Sequence, residues 1–220
     1  MKSPLPWLRS HLGTHLLRVL AMPLDGVPGN RAAHSHLDHA ALTEKEALRW
    51  CSDPELELNE ARVRAAYQRG DVCVAAMDAG RVVGYVWFAF NAAPHIHGVW
   101  VKFGAAARYS YKSFVRPSHR GRGIAREMYR RANQICPRRG RSLNVLIVDL
   151  DNKASLRASY AAGRVPVGYA GFLCALGRTF TFRSPGARRY GFAFYRPQPL
   201  AEAGAARPTS RFAADCDARR

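Results

Sequence analysis

The chain has 220 residues, 48% of them hydrophobic, and carries 34 Lys and Arg against 16 Asp and Glu, a formal net charge of +18. This length predicts one domain with a core of its own, and no apolar run of about 18 residues predicts a membrane-spanning helix. Five scattered cysteines without a Cys-x-x-Cys pair argue against a disulfide framework or a zinc site, and favour a reducing compartment such as the cytoplasm. The basic excess, most of it in residues 100–164, suits an anionic ligand or partner, although solubility alone is the simpler explanation.

The first 22 residues contain no acid and could form an amphipathic helix. A short helix packed on its own domain, or a loosely ordered leader, is favoured over contact with a membrane. Basic residues interrupt the apolar run, which argues against a signal peptide. Residues 1–40 are therefore assigned to an N-terminal extension.

Residues 43–90 predict two helices followed by a β-hairpin. Thr43 followed by Glu46 has the pattern of a capping box. Asp53 before Pro54 predicts the start of the second helix, because aspartate is a good N-cap and proline suits the first turn. Two apolar strands then flank a glycine-containing turn.

The second half of the chain alternates between strands and helices. In chain order we expect a connection without a clear element at 91–106, a strand at 108–116, a helix at 122–136, a strand at 143–148, a helix that ends near 163, and strands at 166–174, 178–183 and 189–195. Residues 197–220 are rich in Ala, Arg and Pro with little periodicity, and are assigned to a disordered tail.

The most informative stretch in the chain reads Arg120-Gly121-Arg122-Gly123-Ile124-Ala125. It follows a predicted strand and opens a predicted helix. Glycines let the backbone approach a ligand closely, and the first turn of a helix presents unpaired N–H groups at the positive end of its dipole. The stretch therefore predicts an anion site, to which Arg116 and Arg126 add charge. Its spacing fits neither a P-loop nor a dinucleotide-binding fingerprint.

With its flanks, from Val115 to Ala125, this stretch resembles the acetyl-CoA-binding motif of the GNAT superfamily of N-acetyltransferases, Gln/Arg-x-x-Gly-x-Gly/Ala after a strand. The order of predicted elements also matches that family over about residues 40–196. The resemblance implies an α/β (α+β) fold in a single domain at 41–196, with a mixed central β-sheet whose two parallel strands splay apart, flanked by helices. It also implies acetyl-CoA as co-substrate and no metal.

The resemblance further implies direct attack of a primary amine on the thioester, and it assigns the cofactor contacts. The strand end at 114–115 would hold the thioester arm through its backbone, and the amides of 120–125 would hold the pyrophosphate. The cofactor-binding residues carried over are Phe114, Val115, Arg120, Gly121, Arg122, Gly123, Ile124, Ala125 and Asn152. For Asn152, simple capping of the following helix is an equal alternative.

The general acid is less well defined, because Ser159 occupies the position of the family's catalytic tyrosine. Tyr160 follows one residue later, which on a helix turns a side chain by about 100°. Either Ser159 serves, with water, or a local irregularity brings in Tyr160, which is preferred because a phenol is the better acid. Gly163 stands at the expected place, and Arg164 replaces the phenylalanine that normally follows it.

A general base is not evident in the motif region. His95 and His97 could act from the connection at 91–106, since histidine titrates near neutral pH. Asp149 could orient an amine, and a chain of water molecules could also remove its proton.

Three functions stay open. The first is a soluble N-acetyltransferase acting on the amine of a small molecule or peptide. The second is an acyltransferase for longer chains, taken from acyl-CoA or from acyl carrier protein, an acidic partner that the arginine excess would suit. The third is a noncatalytic CoA-binding or interaction module, because the tyrosine is displaced and no catalytic carboxylate is evident. Nucleic-acid binding lacks a dedicated motif, and a homodimer stays open.

Overall fold

The computed structural model describes residues 14–25, 36–176 and 178–197. Residues 1–13 and 26–35 of the predicted extension lie outside the described residues, as do all but the first residue of the predicted tail. The strands are β1 (Thr14–Pro23), β2 (Asp38–Leu42), β3 (Val72–Asp78), β4 (Arg81–Ala89), β5 (Ala93–Pro94), β6 (Trp100–Lys102), β7 (Ala107–Val115), β8 (Leu143–Asp149), β9 (Val165–Ala175), β10 (Arg178–Arg183) and β11 (Ala193–Tyr195). The α-helices are α1 (Glu44–Arg49), α2 (Glu60–Gln68), α3 (Ile124–Ile135), α4 (Lys153–Ala161) and α5 (Pro185–Arg189).

Helix α1 begins at the predicted capping box. The Thr43 hydroxyl accepts a hydrogen bond from the Glu46 amide at 3.3 Å, and the Glu46 carboxylate accepts one from the Thr43 amide at 2.7 Å. Two amides that the helix itself leaves unpaired are thereby satisfied, and the prediction is confirmed.

The predicted second helix is divided. Pro54–Leu56 forms a single 3-10 turn, which ends because Glu57 adopts a left-handed conformation with φ 53°. Helix α2 starts afresh after Asn59, whose side chain accepts a hydrogen bond from the Arg62 amide at 3.1 Å. The prediction of one continuous helix from Pro54 was therefore wrong.

One mixed sheet of eight strands organises the fold. Its order is β10-β9-β1-β8-β7-β4-β3-β2. Strands β7 and β8 run parallel, and the other neighbouring pairs run antiparallel. Helices α3 and α4 pack on one face, whereas α1, α2, α5 and a small sheet of order β11-β6-β5 pack on the other. The predicted fold class is confirmed.

Alternating side chains of β3 and β4 divide the core between the two faces, as the two-residue period of a strand requires. Val74, Ala76, Val86 and Phe88 pack with Ile124 and Met128 of α3. Cys73, Ala75, Tyr85 and Trp87 pack with Val63 and Ala66 of α2.

Strand β1 departs most from the sequence prediction. Thr14–Pro23 forms a central strand between β8 and β9 instead of a helix, so the sheet begins well before residue 41. Leu17 and Val19 are buried on one face of the sheet and Leu20 on the other. A strand covered on both faces has a nearly continuous apolar sequence, which resembles that of a buried helix.

The spacing of the cysteines argued against a disulfide framework. Cys73 and Cys136 are buried, Cys51 and Cys174 are half-buried, and all four are free thiols. Cys216 lies outside the described residues. Among the helices that the structure describes, none is long and apolar enough to cross a membrane.

Two local features open the sheet between β7 and β8. Their parallel pairing covers only the first three positions and ends at Tyr109 opposite Val145. Farther along β7, Lys112 and Ser113 together face one residue of β4, and Lys112 adopts φ 43°. Such a β-bulge bends and twists its strand, which carries the end of β7 away from β8.

Replacing Leu20 with Ala tests whether β1 is part of the core. Leu20 is fully buried, so we expect a loss of about 2–5 kcal/mol in the free energy of unfolding, measured by urea denaturation. Leu176→Ala is the matched control, because Leu176 is 100% exposed and its truncation should change stability by no more than about 0.5 kcal/mol. Equal stability of the two variants would contradict a central β1.

Candidate active site

A cleft of about 1620 Å³ lies where β7 and β8 part. It is lined from both faces of the sheet. We call the part lined by residues 119–130 and by α4 the α3–α4 side, and the part lined by α2, residues 94–97 and Tyr111 the α2 side.

The glycine loop forms the mouth of the α3–α4 side. Gly121 and Gly123 adopt φ 76° and 80°, in the left-handed region that favours glycine. Gly123 is the N-cap of α3, and within the described residues no side chain caps this helix start. The first amides of α3 therefore point into the cleft mouth as donors without helical partners. This arrangement fits a phosphate group.

The structure brings most of the predicted cofactor-binding residues together. The predicted residues that line the cleft are Phe114, Val115, Arg120, Gly121, Arg122, Gly123, Ile124 and Ala125. Asn152 is not among the lining residues. Its side chain is exposed and accepts a hydrogen bond from the Ser155 amide at 3.0 Å, so its visible role is to cap α4.

The arginines predicted around the loop have different environments. Arg120 folds back so that its Nε donates to the Val115 carbonyl at 3.0 Å. Arg116, by contrast, is buried and forms ion pairs with Asp53 and Glu55. The hydrogen bond from Arg116 to Asp53 raises the pKa of the guanidinium. The prediction that Arg116 adds charge to the anion site was wrong, because its charge is already neutralised.

Glu127 is the single carboxylate among the cleft-lining residues of the described chain. It pairs with Arg130 at 2.5 Å and with Arg131 at 3.0 Å. Hydrogen bonding to Arg130 holds the pKa of Glu127 below its usual value. The α3–α4 side therefore stays positively charged overall.

Helix α4 turns Ser159 and Tyr160 in different directions. Ser159 lines the cleft and is 6% exposed, whereas Tyr160 is 41% exposed and lies outside the cleft. Leu156, one turn before Ser159, packs on Leu20 and Leu146 and so fixes which face of α4 looks inward. Of the two predicted general acids, Ser159 therefore faces the cleft, and Tyr160, which the sequence analysis preferred, does not.

Arg164 enters the cleft through the turn that ends α4. The Gly163 amide donates to the Tyr160 carbonyl at 2.9 Å and the Arg164 amide to the Ser159 carbonyl at 3.2 Å, the two bonds of a Schellman motif. The side chain of Arg164 is 5% exposed, lines the cleft and lies over the Tyr129 ring at 4.0 Å. Burial lowers the pKa of its guanidinium, although arginine stays protonated at physiological pH.

On the α2 side, a hydrogen-bonded group joins Tyr111 to Arg69 and Asp71, which lie 42 and 40 residues earlier in the chain. The Tyr111 hydroxyl donates to Asp71 at 2.6 Å, and Arg69 Nη2 donates to the same carboxylate oxygen at 2.7 Å. Asp71 is only 3% exposed. Burial raises its pKa, opposed by the hydrogen bonds from Tyr111 and Arg69. Tyr111 and Arg69 line the cleft, so this group fixes part of its wall.

Both histidines of the 91–106 connection line the α2 side. His95 packs against Phe194, with ring centroids 5.4 Å apart. His97 adopts φ 53° and lies 5.5 Å from the His15 ring of β1. Asp149 is not among the lining residues, so it is not placed to orient an amine within this cleft.

Two features of the site were missed from sequence. No local pattern in the sequence marks Asp71 as part of the site, because its hydrogen-bond partner Tyr111 lies 40 residues away. For Arg164 there was a signal, namely a charged residue at a position where the Schellman motif usually presents an apolar contact. The sequence shows this substitution, but it does not show that the side chain is buried in the cleft.

The fold and the cleft define an α/β protein with a helix-terminus anion site beside two parting strands. The model of the acetyltransferase (GNAT) family matches residues 40–161, more than half of the chain. The chain therefore belongs to the GNAT acetyltransferase family. Membership of this family supports the general activity of an acyl-CoA-dependent N-acetyltransferase.

Several solved structures resemble this chain. One is the aminoglycoside N-acetyltransferase AAC(6')-Iy in complex with a bisubstrate analogue, at 17% identity over 59% of this chain and 90% of that chain, with a TM-score of 0.47. Another is a ribosomal-protein-alanine N-acetyltransferase from Brucella melitensis, at 22% identity over 55% and 86%, with a TM-score of 0.41. A third is a GCN5-related N-acetyltransferase from Sphaerobacter thermophilus, at 16% identity over 86% and 54%, with a TM-score of 0.47. No curated protein matches the chain significantly.

Replacing Tyr111 with Phe tests the hydrogen bond to Asp71. The hydroxyl stabilises the carboxylate, so its removal should raise the pKa of Asp71 further, measured by NMR titration of the carboxyl carbon. Because the pKa of Asp71 is already raised in the folded state, protonation of Asp71 stabilises the fold. This contribution to the free energy of unfolding is complete below the pKa that Asp71 has in the unfolded chain. It is lost as the pH rises through the pKa of Asp71 in the folded protein. The variant should shift that loss to higher pH.

Tyr109→Phe is the matched control on the same strand, since the Asp71 bond belongs to Tyr111. It should leave the Asp71 titration unchanged. An unchanged midpoint in Tyr111→Phe as well would show that this bond does not govern Asp71.

Proposed function

We propose that the protein transfers an acetyl group from acetyl-CoA to a primary amine by direct attack. The observation that carries this proposal is the cleft at the parting of β7 and β8, which is lined from both faces of the sheet. A donor held on the α3–α4 side and an acceptor entering from the α2 side would meet between the two strands. Direct attack of an amine on a thioester needs general acid–base groups and no metal ion.

The chain has groups suited to each part of the donor. The first amides of α3, next to Gly123, would hold the pyrophosphate at the positive end of the helix dipole. The edge of β7 beyond Tyr109, which is not paired with β8, would hold the thioester arm in the manner of an added strand. When bound, acetyl-CoA supplies a thioester carbonyl that an amine can attack.

Proton transfers are assigned to residues on the two sides of the cleft. Ser159 faces the α3–α4 side and would protonate the departing thiolate, directly or through water. His95 and His97 line the α2 side, where the amine would enter. Histidine is the commonest general base near neutral pH, so we assign removal of the amine proton to one of these two residues.

The acceptor is tested by measuring release of free CoA thiol with a panel of small-molecule and peptide amines. Turnover with at least one amine is the expected result. Binding of acetyl-CoA without turnover on any amine would favour a noncatalytic module. Preferential acyl transfer from acyl carrier protein would favour the longer-chain alternative.

Replacing Gly123 with Glu should weaken acetyl-CoA binding by roughly a hundredfold, measured by calorimetry, because a carboxylate would face the phosphates at the helix start. A side chain at positive φ adds strain of about 1–2 kcal/mol. Gly80→Glu controls for that strain, since Gly80 has φ +76° in a turn that does not line the cleft. Equal affinities for the two variants would refute the proposed phosphate site.

The general acid is tested by comparing Ser159→Ala with Tyr160→Phe. We expect Ser159→Ala to lower kcat by roughly tenfold or more with little change in KM, because only Ser159 lines the cleft. Tyr160→Phe should keep the wild-type kcat. The opposite pattern would assign the proton transfer to Tyr160 after a rearrangement of α4.

A further inference from the structure

Arg164 is a buried cation for which no described residue supplies a carboxylate counter-charge. Its Nε and Nη2 atoms are shielded from solvent and have no hydrogen-bond partner among the described residues. Its neighbour on one side is the Tyr129 ring, 4.0 Å from the guanidinium carbon. A buried charge without a hydrogen-bonded partner is destabilising, so its position calls for an explanation beyond packing.

Two other buried arginines show how this chain satisfies a structural guanidinium. Arg108 is fully buried, and its three nitrogen atoms donate to Asn144, to Asn133 and to the Ala132 carbonyl. Arg116 pairs with two carboxylates and also donates to a backbone carbonyl. Neither residue lines the cleft. Arg164 differs on both counts, since it lines the cleft and its Nε and Nη2 have no such acceptor within the described part of the chain.

The backbone forces the side chain of residue 164 inward. In a Schellman motif the residue after the C′ glycine turns back over the last turn of its helix, where an apolar contact is usual. Gly163 with φ 80° and the bond from the Arg164 amide to the Ser159 carbonyl place this chain in that arrangement. An arginine at this position is therefore fixed next to Ser159, on the same wall of the cleft.

Glu127, the cleft carboxylate, does not serve as the partner of Arg164. It is engaged by Arg130 and Arg131. The interactions that shift the pKa of Arg164 are its burial and the Tyr129 hydroxyl, with no carboxylate among them. No described carboxylate neutralises Arg164, and a molecule that enters the cleft would supply the negative charge.

We propose that Arg164 binds an anionic group of the acyl donor and thereby contributes to donor specificity. This inference rests on the proposed function. Guanidinium donors match both phosphate and carboxylate oxygens in a forked geometry. Two groups have this chemistry: a phosphate of CoA, or the distal carboxylate of a dicarboxylic acyl group such as succinyl. The position of Arg164 beside Ser159 is compatible with either, and binding measurements distinguish them.

The test is calorimetric titration of the full chain with CoA, acetyl-CoA and succinyl-CoA. The variants are Arg164→Met, which keeps an unbranched apolar stem and removes the charge, and Arg164→Lys, which keeps the charge without the fork. Arg157→Met is the matched control, because Arg157 is exposed on α4 and does not line the cleft. Thermal midpoints without ligand are measured in parallel.

We expect Arg164→Met to bind the favoured donor roughly tenfold or more weakly, as loss of a charged hydrogen bond predicts, and Arg164→Lys to be intermediate. Without ligand, the thermal midpoint of Arg164→Met should be equal to or above that of the wild type, because this variant removes an uncompensated buried charge. Weaker binding of CoA itself identifies a phosphate as the partner. Weaker binding of succinyl-CoA alone, with CoA and acetyl-CoA unaffected, identifies the acyl carboxylate.

Wild-type affinity of both Arg164 variants for all three ligands would overturn the role of Arg164 and leave the proposed function standing. A lower thermal midpoint with unchanged affinity would likewise overturn it and mark the arginine as structural. Failure of the wild-type chain to bind any of the three ligands would overturn both proposals.

Discussion

The parting of β7 from β8 is the constraint on which the cleft depends. Below the split, Arg108 connects the two strands to α3 through Asn144 and Asn133 in a fully buried polar contact. Above it, the bulge at Lys112 turns β7 away. A continuous parallel pair would pair every backbone group and close the sheet. Because β7 and β8 are paired at one end and parted at the other, the edge of β7 beyond Tyr109 lies within the fold and is still available for hydrogen bonding.

Elements that depend on neighbouring residues could be predicted from sequence. The capping box at Thr43, the glycine loop before α3 and the cap at Asn152 each lie within a few residues, and the structure has all three. Strand β1 could not be predicted in this way. Its partners β8 and β9 lie far along the chain, and a short apolar run is ambiguous between a buried strand and a buried helix.

The same distinction applies to the site. The loop at 120–125 is one contiguous stretch, so its glycine turn and the start of α3 could be predicted from the sequence. The direction of Ser159 and Tyr160 depends on how α4 rotates over the sheet, which is set by packing of Leu156 on β1 and β8. The bond between Asp71 and Tyr111 depends on tertiary contacts. Side chains that long-range packing orients are thus the part of the site that sequence alone leaves open.

The central position of β1 has a consequence for how the chain reaches its native state. During synthesis β1 is made long before β8 and β9, the two strands that cover its edges. Until β8 and β9 are synthesised, β1 is an apolar segment with unpaired backbone groups on both edges. Such a segment is prone to aberrant pairing with other chains. Closure of this half of the sheet is also non-local, which slows folding. We therefore expect the assembly of β1 with its late partners to limit the yield of folded protein, and chaperone engagement to concentrate on this segment.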